Sequence, residues 1–122
     1  MDEKRKSPRI RTSAVVSYKV QAARLAGGSR IKDISETGIC IPSKVYFPVD
    51  SILELEIRSD DLEKPIKVLA KVVRIANRDK GKFSFEVGLL FLGVPPDQFD
   101  ILHGYIRRLI AQGGSQDISW LD

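Results

Sequence analysis

The chain has 122 residues, 43% hydrophobic and 30% charged, a balance typical of one soluble globular domain and not of a disordered or fibrous protein. No apolar run approaches the roughly 20 residues of a membrane-spanning helix, and the N-terminus lacks the apolar stretch of a signal peptide. We therefore expect a cytoplasmic protein without membrane insertion. The formal charge of +4 is a mild excess, carried mostly by the first eleven residues.

The first two thirds of the sequence are typical of short strands separated by turns. Residues 12–20 predict the first strand, and the pair Gly27 and Gly28 predicts a turn after it. Second and third strands are predicted at residues 30–34 and 39–41.

The connection between these two strands has hairpin length and ends at Gly38, where we expect a positive φ. Pro42 closes the third strand or places it at a sheet edge. The next strand has the cleanest alternation, with Leu53, Leu55 and Ile57 on one face and charged residues on the other.

Residues 66–76 and 83–92 predict two long strands that pair with each other through a hairpin containing Gly81. From Pro95 the period changes to that of an amphipathic helix, with Gly113 where a C-terminal cap belongs. Gly104 inside this helix suggests close packing. The predicted apolar stripe consists of Phe99, Leu102, Ile106 and Leu109.

Residues that could support catalysis or hold a metal are scarce. Cys40 is the single cysteine and lies in an apolar run, which favours a small buried hydrophobic residue over a reactive thiol. His103 is the single histidine and is expected to be a partly exposed helix residue. The sequence contains no phosphate-binding glycine loop. We therefore expect no catalytic residues, no metal, no cofactor and no enzymatic activity.

Two short patterns stand out: Arg5 and Arg9 in RKSPR, and the run Asp33-Ile-Ser35-Glu-Thr-Gly38. Among ten arginines an RxxxR spacing is expected by chance roughly once. Arg74 and Arg78 form a second copy, most simply interpreted as two charges that flank a strand end. The second pattern is rarer and falls on a turn between strands.

Together these patterns resemble the RxxxR and [D/N]xSxxG motifs of the PilZ family, in the same order, and the resemblance extends over residues 5–110. It implies an all-β fold with a C-terminal helix, in which a six-stranded antiparallel barrel and the helix together span residues 12–113. A basic arm (residues 1–11) would precede the barrel, and a loose tail (residues 114–122) with Trp120 would follow it. The implied function is a cyclic di-GMP receptor that changes conformation to regulate a downstream protein partner.

The resemblance implies these ligand-binding residues: Arg5, Arg9, Asp33, Ser35 and Gly38. Lys4, beside them, could bear on whether one or two ligands bind. A guanidinium can bond a phosphate or the O6 and N7 edge of guanine, and a carboxylate can accept the N1 and N2 protons of guanine. Alternatively, Asp33 and Ser35 only satisfy turn amides and Gly38 only makes the bend.

Two other functions stay open. A small β-barrel that binds single-stranded nucleic acid would suit the basic arm, although most aromatic residues alternate toward a core and no DNA partner is expected. A PilZ-like module could also act only through a protein partner, using the helix or Trp120.

Overall fold

A computed structural model of the chain describes residues 9–77 and 84–112, which form eight strands and one helix. The strands are β1 (Ile10–Arg11), β2 (Val15–Val20), β3 (Leu25–Arg30), β4 (Asp33–Ile34), β5 (Gly38–Ser43), β6 (Ile52–Arg58), β7 (Ile66–Asn77) and β8 (Phe85–Leu92). The helix α1 spans Pro96–Ala111. No helix within these described ranges is long and apolar enough to span a membrane.

The strands form a single antiparallel sheet in the order β1-β4-β5-β8-β7-β6-β2-β3. The sheet curls so that β3 approaches β5, and the Ser29 hydroxyl donates a hydrogen bond to the Pro42 carbonyl oxygen at 2.7 Å. Pro42 has no N–H to donate across this seam, which we call the β3–β5 seam. The predicted class, an antiparallel barrel with a C-terminal helix, is confirmed.

The described residues contain eight strands where six were predicted, because the predicted strand 30–34 is divided between β3 and β4 and because β1 lies within the predicted basic arm (residues 1–11). The chain passes from β2 to β5 through residues 30–34, so that β3 ends at Arg30 and the two-residue β4 begins at Asp33. At the start of the barrel, Ile10 and Arg11 pair with β4 as β1, before the chain enters β2. Ile10 is fully buried, which explains why this short strand holds its place.

The core follows the alternation read from the sequence. Leu53, Leu55 and Ile57 of β6 are buried, and Val87 and Leu89 of β8 lie across the same core. The predicted pairing of the two long strands is confirmed, with β7 and β8 in register from Leu69 opposite Leu92 to Asn77 opposite Phe85. Gly81 and Phe83 lie outside the described residues.

The turn predicted at Gly27 and Gly28 is wrong, because both glycines lie within β3 and the turn is formed by residues 21–24. A side chain at Gly27 would collide with the ring of Tyr18 on β2, since an added Cβ would lie 2.7 Å from the Tyr18 hydroxyl oxygen. This glycine therefore leaves space for a buried tyrosine and does not mark a change of chain direction.

Helix α1 closes one end of the barrel with its predicted apolar stripe, except at Phe99. Leu102, Ile106 and Leu109 are buried, whereas Phe99 is 39% exposed and contacts His103 edge to face. The position that completes the stripe is Tyr105, which is fully buried. Phe99 lies in the first turn, at the rim of the contact with the barrel.

Close packing predicted at Gly104 is also wrong, since an added Cβ would meet only the Arg108 guanidinium, at 3.8 Å. The helix ends at Ala111 with Gln112 as its cap, whose N–H donates to the Arg108 carbonyl oxygen. Gly113 and the tail with Trp120 lie outside the described residues.

Candidate ligand-binding site

The turn between β4 and β5, residues 35–38, is held by its own hydrogen bonds. The Ser35 N–H donates to the Gly38 carbonyl oxygen at 2.9 Å, and the Thr37 N–H donates to the Ser35 hydroxyl oxygen at 3.2 Å. Ser35 is buried. Its hydroxyl therefore satisfies a turn amide, which is the structural alternative that the sequence left open.

The positive φ expected at Gly38 is wrong, since the glycine with a positive φ in the described ranges is Gly93. Gly38 is the first residue of β5 and lies opposite Leu90 of β8 in the extended ladder. A Cβ at Gly38 would overlap the Leu89 carbonyl oxygen and lie 3.1 Å from the Leu89 carbonyl carbon. The close approach of two strands, and not a turn conformation, is what requires glycine here.

Asp33 and Arg9 meet beside this turn, although 23 residues separate them in the sequence. The pairing of β1 with β4 places Arg11 opposite Asp33, which brings the preceding segment over the carboxylate. The Arg9 Nε lies 3.8 Å from the Asp33 Oδ1, and the two side chains are 35% and 4% exposed. A nearly buried carboxylate is thus faced by a guanidinium that is open to solvent. Of the other predicted arm residues, Lys4 and Arg5 lie outside the described residues.

A row of residues extends from Asp33 across the outer face of the sheet. Asp33 pairs with Cys40 on β5, Cys40 with Gly88 on β8, and Gly88 with Arg74 on β7. We call this the outer row. Cys40 is buried as predicted, but it belongs to this outer row and not to the hydrophobic core cluster. Burial, and secondarily the negative charge of Asp33, raises the pKa of its thiol to about 11, so the thiol is unreactive at neutral pH.

Lys32 and Glu86 form a bridge at the border of this surface. The Lys32 Nζ lies 2.8 Å from the Glu86 Oε2, and this hydrogen bond raises the pKa of the lysine. Glu86 lies opposite Pro42 on β5, two residues before Gly88 and on the same face of β8. The sequence analysis missed this pair, although the alternation of β8 does place Glu86 and Gly88 on the face opposite the core.

Helix α1 touches both sides of the site. The His103 Nε2 lies 3.3 Å from the Glu36 Oε2 in the 35–38 turn, and the Tyr105 hydroxyl is hydrogen-bonded to the Thr12 hydroxyl at 2.6 Å. His103 is partly exposed, as predicted. Across residues 9–77 and 84–112, no group of three or more His, Cys, Asp or Glu side chains could hold a metal ion.

The fold is similar to that of several solved structures. These include the PilZ domain of YcgR from Escherichia coli with c-di-GMP, with a TM-score of 0.72 and 16% identity over 90% of this chain and 94% of that chain. The K. pneumonia MrkH complex with c-di-GMP has a TM-score of 0.76 and 16% identity over 89% and 53% of the two chains. For the Bacillus subtilis inhibitor of motility MotI/DgrA, the TM-score is 0.64 and the identity 26%, over 85% and 51% of the two chains.

The chain thus spans about half the length of MrkH and of MotI/DgrA. No curated protein matches its sequence. The sequence pattern of the PilZ domain matches residues 3–111, which includes both motifs, the barrel and the helix. PilZ domains are receptors and not enzymes, in agreement with the expectation from the sequence. The chain therefore belongs to the PilZ domain family.

Proposed function

We propose that this PilZ domain is a receptor for cyclic di-GMP, which it binds on the outer face of the barrel beside Asp33. Family membership supports the proposal, and so do the similar folds of two structures described as holding c-di-GMP. The observation that carries it is the juxtaposition of Arg9 with the nearly buried Asp33 carboxylate, because these two motif residues provide opposite charges for one ligand.

Asp33 is suited to a guanine base. A buried carboxylate is stable only when hydrogen-bond donors or a cation compensate for its lost hydration. The N1 and N2 protons of guanine are two such donors on one edge, and they can take the place of the Arg9 guanidinium. Binding is therefore an exchange, in which guanine contacts Asp33 and Arg9 becomes available to the ligand.

Arg9 then binds a phosphate or the O6 and N7 edge of a guanine, since its planar fork matches both. Arg5 and Lys4 would add positive charge to the same ligand. Pro8 disfavours helical structure at Ser7, so that Arg5 and Arg9 can approach the dianion from two directions. Ser35 and Gly38 contribute by fixing the bend that presents Asp33, since their own groups are used by the turn and by the approach to β8.

The proposed signal is a change in the part of the arm that precedes β1, which folds over the ligand and creates a surface for a downstream protein partner. Charge-assisted hydrogen bonds contribute about 1.5 to 3 kcal/mol each, while ordering a residue costs about 1 to 2 kcal/mol. The expected Kd is therefore about 0.1 to 10 μM. Amide hydrogen exchange in residues 2–9 should slow when cyclic di-GMP is added, and an unchanged rate would reject the conformational signal.

Isothermal titration calorimetry with cyclic di-GMP tests the receptor function. Asp33→Ala should weaken binding at least about tenfold, whereas Asp33→Asn should retain it because the amide oxygen still accepts a hydrogen bond and the family motif allows Asn. Asp60→Ala, in an exposed loop, is the matched control. Arg9→Lys should weaken binding strongly, with Arg24→Lys as its control, because an ammonium cannot replace the fork.

The absence of heat and of saturation at about 100 μM cyclic di-GMP would reject the receptor function. A normally folded protein that binds no nucleotide would instead favour the module that acts only through a protein partner. Binding of single-stranded nucleic acid is the less supported alternative, because most aromatic side chains of the described residues are buried, namely Tyr18, Phe47, Phe91 and Tyr105, whereas Tyr46 and Phe99 are exposed.

A further inference from the structure

A β-bulge in β7 turns Arg74 toward the outer face of the sheet. Val72 pairs with Leu89 and is fully buried in the core, and strict alternation would point residue 74 to the same side. The register shifts between Val72 and Arg74, so that Val73 is an extra residue and Arg74 pairs with Gly88 instead. The sequence interpretation gave Arg74 and Arg78 as two charges that flank a strand end; β7 ends at Asn77, so Arg74 lies inside the strand, and Arg78 lies outside the described residues.

Arg74 lies flat against the strand that it faces. A Cβ at Gly88 would be 3.5 Å from the Arg74 Cβ and 3.6 Å from both its Nε and its Nη2, which are van der Waals contacts and show that the guanidinium lies against Gly88. Its positive charge acts on the neighbouring Cys40 thiol, against the larger effect of burial on the pKa. Within residues 9–77 and 84–112, the Arg74 side chain makes no hydrogen bond or ion pair. Its donors are therefore available to a ligand.

Arg74 and Asp33 stand at opposite ends of the outer row, with Cys40 and Gly88 between them. Three strand spacings of about 4.8 Å separate the ends by about 14 Å. Both intervening residues are small and buried, and the Arg74 guanidinium lies against Gly88. The row thus carries Arg9 and Asp33 at one end and Arg74 at the other. A cyclic dinucleotide has two bases and two phosphates, and the charged groups at one end of the row can contact only one half of it.

We propose that Arg74 binds the second guanine of cyclic di-GMP, at the end of the outer row away from Asp33. The inference rests on the proposed receptor function. The guanidinium donates to the O6 and N7 acceptors of guanine, whereas adenine offers an amino donor in place of O6 and repels the fork. Arg74 thus determines specificity, and the bulge at Val73 is the structural feature that makes it available.

Calorimetric titration of Arg74→Ala and Arg74→Lys tests this role, with Arg24→Ala in the exposed β2–β3 turn as the control. Arg74→Ala should lower the affinity for cyclic di-GMP about 10- to 100-fold, as expected for the loss of charge-assisted bonds. Arg74→Lys should recover only part of this loss, and Arg24→Ala should bind like the wild type. Arg74→Ala should also reduce the ratio between the affinities for cyclic di-GMP and for cyclic di-AMP. Circular dichroism melting curves establish that each variant is folded.

Wild-type affinity in a folded Arg74→Ala variant would overturn the role of Arg74 and leave the receptor function intact. An unchanged preference between the two dinucleotides would overturn the specificity role. If the wild-type protein binds no cyclic di-GMP, the receptor function fails first and the role of Arg74 fails with it. The two failures are therefore distinguishable in one set of titrations.

Discussion

Gly38→Ala should destabilise the folded domain, although the substitution adds a single methyl group. The added carbon would overlap the Leu89 carbonyl oxygen, and its next neighbours, the Leu89 carbonyl carbon and the Leu90 Cα, are also backbone atoms of β8. No flexible side chain can move aside to relieve this contact. The two strands must separate at the end of the ladder where the 35–38 turn is attached.

The expected cost follows from what such a separation disrupts. Overpacking of a core typically costs about 1 to 3 kcal/mol. Two neighbouring hydrogen bonds, from Phe91 N–H to the Thr37 oxygen at 2.8 Å and from Ser35 N–H to the Gly38 oxygen at 2.9 Å, are also strained. Each contributes about 1 kcal/mol, and if strain removes about half of each contribution, we expect a total loss of about 2 to 4 kcal/mol. For a domain of this size, the melting temperature should fall by about 8 to 16 °C.

Urea denaturation of Gly38→Ala and Gly104→Ala measures the effect with a matched control. The same substitution at Gly104 meets only the Arg108 guanidinium at 3.8 Å and should stabilise α1 by up to about 1 kcal/mol. A free energy of unfolding for Gly38→Ala within about 0.5 kcal/mol of the wild type would refute the steric argument. If the argument holds, lost nucleotide binding in Gly38→Ala reports a distorted turn and does not identify a ligand contact.

Two further predictions concern the thiol of the outer row and the attachment of the helix. Because burial raises the pKa of Cys40 from 9.0 to about 11, the folded state holds this proton more tightly than the unfolded chain, and stability should fall by up to about 2 to 3 kcal/mol as pH rises from 9 to 11. Urea midpoints at pH 8 and pH 10.5 that shift equally in wild type and Cys40→Ala would contradict this. Thr12→Val should cost about 1 to 2 kcal/mol, because it leaves the fully buried Tyr105 without the partner of its hydroxyl. Strict additivity of Thr12→Val and Tyr105→Phe in thermal melts would show that the bond does not stabilise the fold.

The sequence was sufficient to predict burial in the elements where apolar residues recur at a regular spacing and all face the same core. Leu53, Leu55 and Ile57 alternate with charged residues, and all three are buried as predicted. The pairing of β7 with β8 and most of the apolar stripe of α1 were predicted for the same reason. In these elements each residue's environment is set by its own strand or helix, so local pattern and tertiary structure agree.

Predictions from the residue pattern were wrong where a contact between two strands determines the conformation. Gly27 indicates a turn to a reader of the sequence, but its role depends on the Tyr18 ring of the neighbouring strand. Gly38 is likewise required by the close approach of the Leu89 carbonyl group of β8 and not by its own φ. The bulge at Val73 leaves no local signal, because two adjacent valines fit either face of a strand.

For the candidate site, the family resemblance provided the residues and the structure provided their arrangement. Arg9 and Asp33 were predicted to act together, but strands as short as β1 and β4 have no recognisable period, so their pairing could not be read from the sequence. Arg74 was noticed as a chance repeat of a spacing, and only the register of β7 against β8 places it at the end of the outer row.

The β3–β5 seam has a consequence for where the barrel can open. Every other contact between adjacent strands is a ladder of backbone hydrogen bonds, but here the described residues provide one hydroxyl bond, from Ser29 to the Pro42 oxygen. Pro42 has no N–H to donate and β3 is rich in glycine, so these two strands do not form a ladder of backbone hydrogen bonds. The barrel is therefore held together least tightly at this seam, and we expect local opening to begin there, with β3 moving outward while α1 and the outer row keep their positions.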